Sequence, residues 1–173
     1  LLVSSAILGF EGSLGGTFEI FIQVGSVLAV IGFYRQDLWH QVRTVRQDSR
    51  VRRLWLAIVV AAVPAAVVGL LARDLIKETI FPQDTAPSVV GTVLILGGFV
   101  FLIVERRRRK DDAELTHDVY NISLKQALGV GIAQMFALIP GTSRSGASIV
   151  GGMLSGMSRQ AATAFSFYLA IPV

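Results

Sequence analysis

The stretch "GTSRSG", residues 141–146, combines residue types that can bind an anion. Pro140 disfavours helix at Ile139 and lacks a backbone N–H, so the preceding helix should end there. Gly141 permits a sharp turn, and a new helix can begin near Ser145 and Gly146. Amides of that helix N-terminus, three hydroxyls and one guanidinium would then surround one point. The candidate residues are Gly141, Thr142, Ser143, Arg144, Ser145 and Gly146.

Phosphate is the anion that suits this loop best, because arginine can hold two phosphate oxygens through parallel hydrogen bonds. Two simpler interpretations stay open at this point. A Gly/Ser stretch can be a plain turn, and an arginine near a membrane end can extend its side chain to the headgroups.

The helix predicted after the loop carries small residues in two rows at helical spacing. The first row is Ala147, Gly151 and Ser155, and the second is Ser148, Gly152 and Gly156. Rows of this kind let helices approach closely in a membrane, so we assign them to packing and to no chemistry.

Glu19 is a second polar outlier, because it lies in the apolar run 17–33, with Gln23 one turn further on. Ionisable residues in such runs usually point into a protein interior or a wet cavity, which makes Glu19, with Gln23 on the same face, a candidate for a binding site. The alternative is an interfacial acid in the first turn of a helix, favoured by the helix dipole. Gln134, in the apolar run before the loop, raises the same question less strongly.

The composition predicts a membrane protein, so membrane helices should hold these candidate residues in place. Of 173 residues, 53% are hydrophobic and only 16% are charged, and the mean hydropathy is positive. We predict one all-α membrane domain over residues 1–173, because apolar runs of this length can cross a bilayer. The last two runs are glycine-rich and either span the membrane or enter it and turn back. The apolar elements are 17–33, 54–72, 87–104, 121–139 and 146–173.

Basic residues cluster in two of the connections and predict the orientation. Connection 34–53 contains six arginines, connection 105–120 contains five basic residues, and connection 73–86 contains two. By the positive-inside rule the first two are cytoplasmic and 73–86 is outside. The loop 141–146 and Glu19 would then both lie on the extracytoplasmic face.

The net charge of +4 comes from basic residues that border the apolar runs, so membrane topology explains it and we predict no nucleic-acid partner. The absence of cysteine excludes disulfides and thiolate metal sites. No His, Asp or Glu group has metal-ligand spacing, so we predict no metal held by the protein. Mg²⁺ or Ca²⁺ would have to bind through the phosphates of the ligand.

Long motifs resemble the bacterial undecaprenyl-diphosphate phosphatases, the bacitracin-resistance family. "PGTSRSGASI" and the following "GGMLSGMSRQAATAFSFYLAIP" are similar to the second signature region of that family. "ILGFEGSLGGTFEIFIQVGSVLAV" is similar to another segment of that family. The family's other signature, an acidic stretch ending in Pro-x-Ser-Ser-Thr-x-His, has no match in this chain. We therefore expect a fragment that lacks this Glu/His motif and the C-terminal helices and is inactive alone.

The resemblance implies an integral membrane hydrolase that converts undecaprenyl diphosphate to undecaprenyl phosphate and inorganic phosphate. It links the protein to peptidoglycan synthesis, cell shape and bacitracin resistance. It also implies a multi-pass helical bundle in the bacterial inner membrane, with re-entrant elements, of which this chain is half of an inverted-repeat architecture. The active site would face outward, with Arg144 and Ser143 as the catalytic residues.

The implied partners are the polyprenyl diphosphate lipid and the bilayer, and self-association is left open. A transporter or flippase of an anionic polyprenyl lipid is the alternative, because helix N-termini aimed at an anion are also typical of transporters.

Overall fold

The computed structural model describes residues 17–71, 86–108, 115–139 and 141–172. Most of these residues lie in seven α-helices. They are α1 Thr17–Phe33, α2 Arg35–Thr44, α3 Ser49–Leu71, α4 Ala86–Arg108, α5 Leu124–Met135, α6 Arg144–Leu154 and α7 Arg159–Leu169. Two 3₁₀ turns, Val119–Asn121 and Phe136–Leu138, flank α5. The predicted all-α class is therefore confirmed for the described part of the chain.

The chain divides into two compact units, residues 1–43 and 44–173. The first unit contains α1, whose bounds coincide with the predicted apolar element 17–33. Large apolar side chains of α1 are exposed, Phe21 and Leu28 among them. In α2 the Arg43 guanidinium lies 4.8 Å from the centre of the Trp39 ring, a cation–π arrangement.

The second unit is built on α3, which by length and composition could cross a membrane. This helix begins at Ser49, five residues before the predicted apolar element 54–72, because arginines are good helix formers. One stripe of α3 is buried, and residues away from that stripe are exposed, including Leu70 at 79%. The buried residues of α3 are Val51, Leu54, Ala57, Ile58 and Ala61.

Helix α5 packs against α3 in the same direction. A Cβ added to Gly131 would lie 2.6 Å from the carbonyl oxygen of Ala61, and one on Gly69 would lie 3.5 Å from Leu138 Cδ2. The residue numbers on the two sides rise together, from Ala61 and Gly131 to Gly69 and Leu138 in the turn after α5, so α3 and α5 are parallel. The absence of a side chain on Gly131 is what permits this approach.

Helix α6 is packed between α5 and α7, with Gly151 of the first row facing α5 and Gly152 of the second row facing α7. A Cβ on Gly151 would collide with Ala133 Cβ of α5, and one on Gly152 would lie 2.8 Å from Ala162 Cβ of α7. The side chain of Ser155 lies against Gly129 of α5. Close packing is confirmed at Gly151, Gly152 and Ser155, whereas a Cβ on Gly156 would meet Gln126 of α5 at an ordinary distance.

A tight turn separates α6 from α7. Gly156 has φ +92°, its N–H donates to Met153, and the N–H of Met157 donates to Gly152. This is the Schellman arrangement, which ends helices at a left-handed glycine. Predicted element 146–173 is therefore two helices of 11 residues, each about 16 Å long and shorter than a hydrocarbon core.

Candidate functional site

The conformation of the loop before α6 depends on Gly141. Gly141 has φ +92°, a conformation that side chains rarely adopt. A Cβ added there would lie 2.9 Å from both Cα and the carbonyl oxygen of Val90 in α4. Thr142 closes the turn by donating its N–H to Ile139 over 3.1 Å. Pro140 lies outside the described residues.

Ser143 is the N-cap of α6, and the helix begins at Arg144, one residue earlier than expected. The Ser143 hydroxyl oxygen accepts the N–H of Gly146 over 3.2 Å and lies 3.2 Å from Ser145 Oγ. This cap gives an acceptor to one of the N–H groups that have no partner inside the helix at its N-terminus. It also holds the Ser143 oxygen at a fixed place in the loop.

The groups that face outward are fewer than the sequence suggests. Ser143, Arg144 and Ser145 are exposed. The N–H groups of Thr142 and Gly146 are used inside the loop, whereas that of Ser145 donates to no residue the structure describes. An anion here would meet the Arg144 guanidinium, the Ser145 amide and the serine hydroxyls, which are all donors or cations.

Two buried hydroxyls lie behind this first turn of α6. Ser148 Oγ is 2.9 Å from the carbonyl oxygen of Arg144 and 2.8 Å from Ser166 Oγ in α7. Both serines are at most 5% exposed. Sequence reasoning missed Ser166, and the only signal in the sequence is that it lies one helical turn after Ala162 on the face toward α6.

The other candidates are not brought to the loop by the described contacts. The side chain of Glu19 lies outside the described residues, and Gln23 is an exposed residue of α1 in the first unit. Their assignment to the site stays a prediction. Gln134 of α5 is 5% exposed, and its side-chain oxygen accepts no hydrogen bond from the described residues.

The loop and the α6–α7 turn lie at opposite ends of α4. Gly141 is against Val90, whereas Arg159, at the start of α7, forms a 2.6 Å ion pair with Glu105. The 15 residues from Val90 to Glu105 correspond to about 22 Å of helix. The arginine cluster 106–109 begins directly after Glu105, so it starts at the end of α4 away from the loop.

The described residues offer no group of three or more His, Asp or Glu side chains that could hold a metal ion. The donors and the cation of the loop suit an anion and not a hard cation, which requires oxygen ligands.

Comparison with known sequences identifies the family. The family profile described as "Bacitracin resistance protein BacA" matches residues 1–173. The chain belongs to the BacA family. The predicted resemblance is confirmed, and this BacA-family chain is an all-α membrane protein.

Curated relatives of this BacA-family chain carry the name undecaprenyl-diphosphatase. The protein of Albidiferax ferrireducens is 46% identical over 173 residues, which cover 99% of the chain and 61% of the relative. The protein of Herminiimonas arsenicoxydans is 47% identical with the same coverage. "Undecaprenyl-diphosphatase 1" of Chromobacterium violaceum is 45% identical over 99% of the chain and 62% of the relative. The chain thus spans about three fifths of the length of the curated relatives it matches.

Proposed function

We propose that the protein containing this chain hydrolyses undecaprenyl diphosphate to undecaprenyl phosphate and inorganic phosphate, which recycles the cell-wall lipid carrier. The observation that carries the proposal is the exposed Arg144 beside the Ser145 amide, at the N-terminus of α6. Relatives at 44–47% identity are named for this diphosphatase activity.

Arg144 is the residue to which we assign charge stabilisation. Hydrolysis breaks the bond between the terminal phosphorus and the bridging oxygen and replaces it with a bond from that phosphorus to an oxygen from water, so the lipid monophosphate leaves with the bridging oxygen. Negative charge on the phosphoryl oxygens and on the leaving oxygen must be stabilised as this bond lengthens. A guanidinium can bind two of these oxygens at once.

Ser143 is assigned to binding and not to nucleophilic attack. A serine nucleophile needs a base that removes its proton. The contacts that the structure gives to Ser143 Oγ are the Gly146 N–H and Ser145 Oγ, and neither is such a base. Gly141 and Thr142 shape the loop, and Glu19 and Gln23 are proposed to complete the binding site.

The site is proposed to face outward in a multi-pass protein of the bacterial inner membrane. The position of the loop, at the end of α4 away from the arginine cluster 106–109, supports this orientation. The shortness of α6 and α7 supports a re-entrant hairpin, in half of an inverted-repeat bundle. Mg²⁺ or Ca²⁺, where the reaction uses one, would be bound by the diphosphate of the lipid.

The test is phosphate release from undecaprenyl diphosphate by the full-length protein in detergent. We expect Arg144→Ala to lose most of the activity. Arg159→Ala is the matched control, because it removes an exposed arginine whose partner Glu105 lies at the other end of α4. No release by the wild-type protein, together with lipid movement across vesicles, would replace the hydrolase with a flippase.

A further inference from the structure

The buried serine pair behind the loop has a fixed hydrogen-bond direction. Ser148 Oγ is 2.9 Å from the Arg144 carbonyl oxygen and 3.1 Å from that of Ser145, and carbonyl oxygens can only accept. The single hydroxyl proton of Ser148 is therefore directed to these carbonyls. Either hydroxyl could donate in the 2.8 Å contact with Ser166, but the carbonyl contacts are satisfied at the same time only when Ser166 donates and Ser148 accepts.

This chain of bonds ends on the peptide group between Arg144 and Ser145, in the loop proposed to bind the anion. The carbonyl of Arg144 and the N–H of Ser145 belong to one planar peptide unit. That N–H is one of the loop amides that donate to no described residue. A hydrogen bond accepted by the carbonyl fixes the plane of this unit and polarises its N–H, because hydrogen bonds in a chain strengthen one another.

We propose that Ser166 is a positioning residue for the anion site, which orients and polarises the peptide 144–145 through Ser148. The hydrogen-bond relay runs from Ser166 to Ser148, to the Arg144 carbonyl, and through the peptide to the Ser145 N–H and the phosphate. The packing around the relay keeps it dry, since Ser148 is 2% and Ser166 is 5% exposed. The identity of the phosphate as part of a lipid diphosphate rests on the proposed function.

Removal of the Ser166 hydroxyl should affect the transition state more than the bound substrate. An amide that stabilises developing charge acts mainly on kcat. We expect Ser166→Ala in the full-length protein to lower kcat/KM about tenfold, the effect of one lost hydrogen bond, mostly through kcat. Ser166→Thr keeps the donor and should restore kcat/KM to within about threefold of wild type.

Ser158→Ala is the matched control on the same helix. Ser158 is also 5% exposed and caps α7 by accepting the Ala161 N–H over 3.2 Å, at the end away from the loop. Its removal should lower thermal stability by the loss of a cap and leave kcat/KM within about twofold. Equal losses of kcat/KM in Ser158→Ala and Ser166→Ala, or a wild-type kcat in Ser166→Ala, would overturn the relay.

A binding measurement separates this inference from the proposed function. Inorganic pyrophosphate is titrated into the same full-length variants by calorimetry. Suppose that the wild-type protein binds pyrophosphate but hydrolyses no lipid. An affinity about threefold weaker in Ser166→Ala, with unchanged affinity in Ser166→Thr and Ser158→Ala, would then support the relay and reject the hydrolase.

Ser166→Cys replaces Ser166→Ala if the alanine variant does not fold. Cysteine retains the shape but is a weak donor, so the same losses are expected. Wild-type affinity and kcat in Ser166→Cys would overturn the relay.

Discussion

Substitution of Gly141 by alanine tests how the loop is held. The left-handed φ of +92° costs a residue with a Cβ about 1–2 kcal/mol. The new Cβ would also lie 2.9 Å from two backbone atoms of Val90, and neither atom can rotate away. Overpacking of this kind costs about 1–3 kcal/mol. The larger effect is displacement, because the loop must move off α4 and take Arg144 with it.

Gly156 provides the matched control. It has the same φ of +92°, but the contact that a Cβ there would make with the described residues is to Gln126 Nε2, at an ordinary 3.6 Å. Gly156→Ala therefore carries the conformational cost and not the collision. The difference between the two variants measures the contact of the loop with Val90.

The assay compares the free energy of unfolding and kcat/KM for undecaprenyl diphosphate in the full-length variants. We expect Gly141→Ala to be less stable than Gly156→Ala by about 1–3 kcal/mol. We also expect a loss of about 10²-fold in kcat/KM, since a misplacement near 1 Å has that effect, while Gly156→Ala stays within about threefold. Equal losses in both variants would refute the idea that Val90 positions the loop.

Three further substitutions follow from the same geometry. Arg144→Lys should lose at least about tenfold in activity although the charge is kept, because an ammonium cannot bind two oxygens in a planar fork, and activity equal to wild type would contradict that role. Gly151→Ala should destabilise the protein because the new Cβ collides with Ala133, whereas Gly97→Ala, where a Cβ meets no described residue within 4 Å, should not; denaturant unfolding compares the two. A cysteine at Gln47 should resist an impermeant thiol reagent applied from outside and one at Gln83, placed outside from the sequence alone, should react; the reverse labelling would invert the orientation.

Periodicity and composition were sufficient to predict the long helices but not the divided ones. The run 17–33 became α1 without change, because its apolar length alone defines it. The break between α6 and α7 was missed, since small residues continue through it. Its local signals are present, with Gly156 at the end of one helix and Ser158 capping the next.

The loop residues could be found from residue type, whereas their hydrogen bonds could not. The sequence indicates that hydroxyls, amides and an arginine lie together at 141–146. Which amides remain available depends on where the helix begins, and Ser143 as N-cap engages the Gly146 N–H. The contact of Ser166 with Ser148 joins two helices, so it depends on tertiary packing.

Gly151 and Gly152 leave the faces of α6 toward α5 and α7 without side chains, and this decides which forces hold the helix against its neighbours. Lipid tails are as apolar as leucine, so helices in a bilayer gain little from burying apolar bulk against each other. Dispersion forces are what remain, and a gap of about 0.5–1 Å already loses a quarter to a half of each contact. At Gly151 and Gly152, where even a Cβ would collide, the neighbours are near enough for these forces to act on the backbone itself. Close fit of the α6 backbone against alanine side chains of both neighbours therefore helps to hold the helix that carries Arg144.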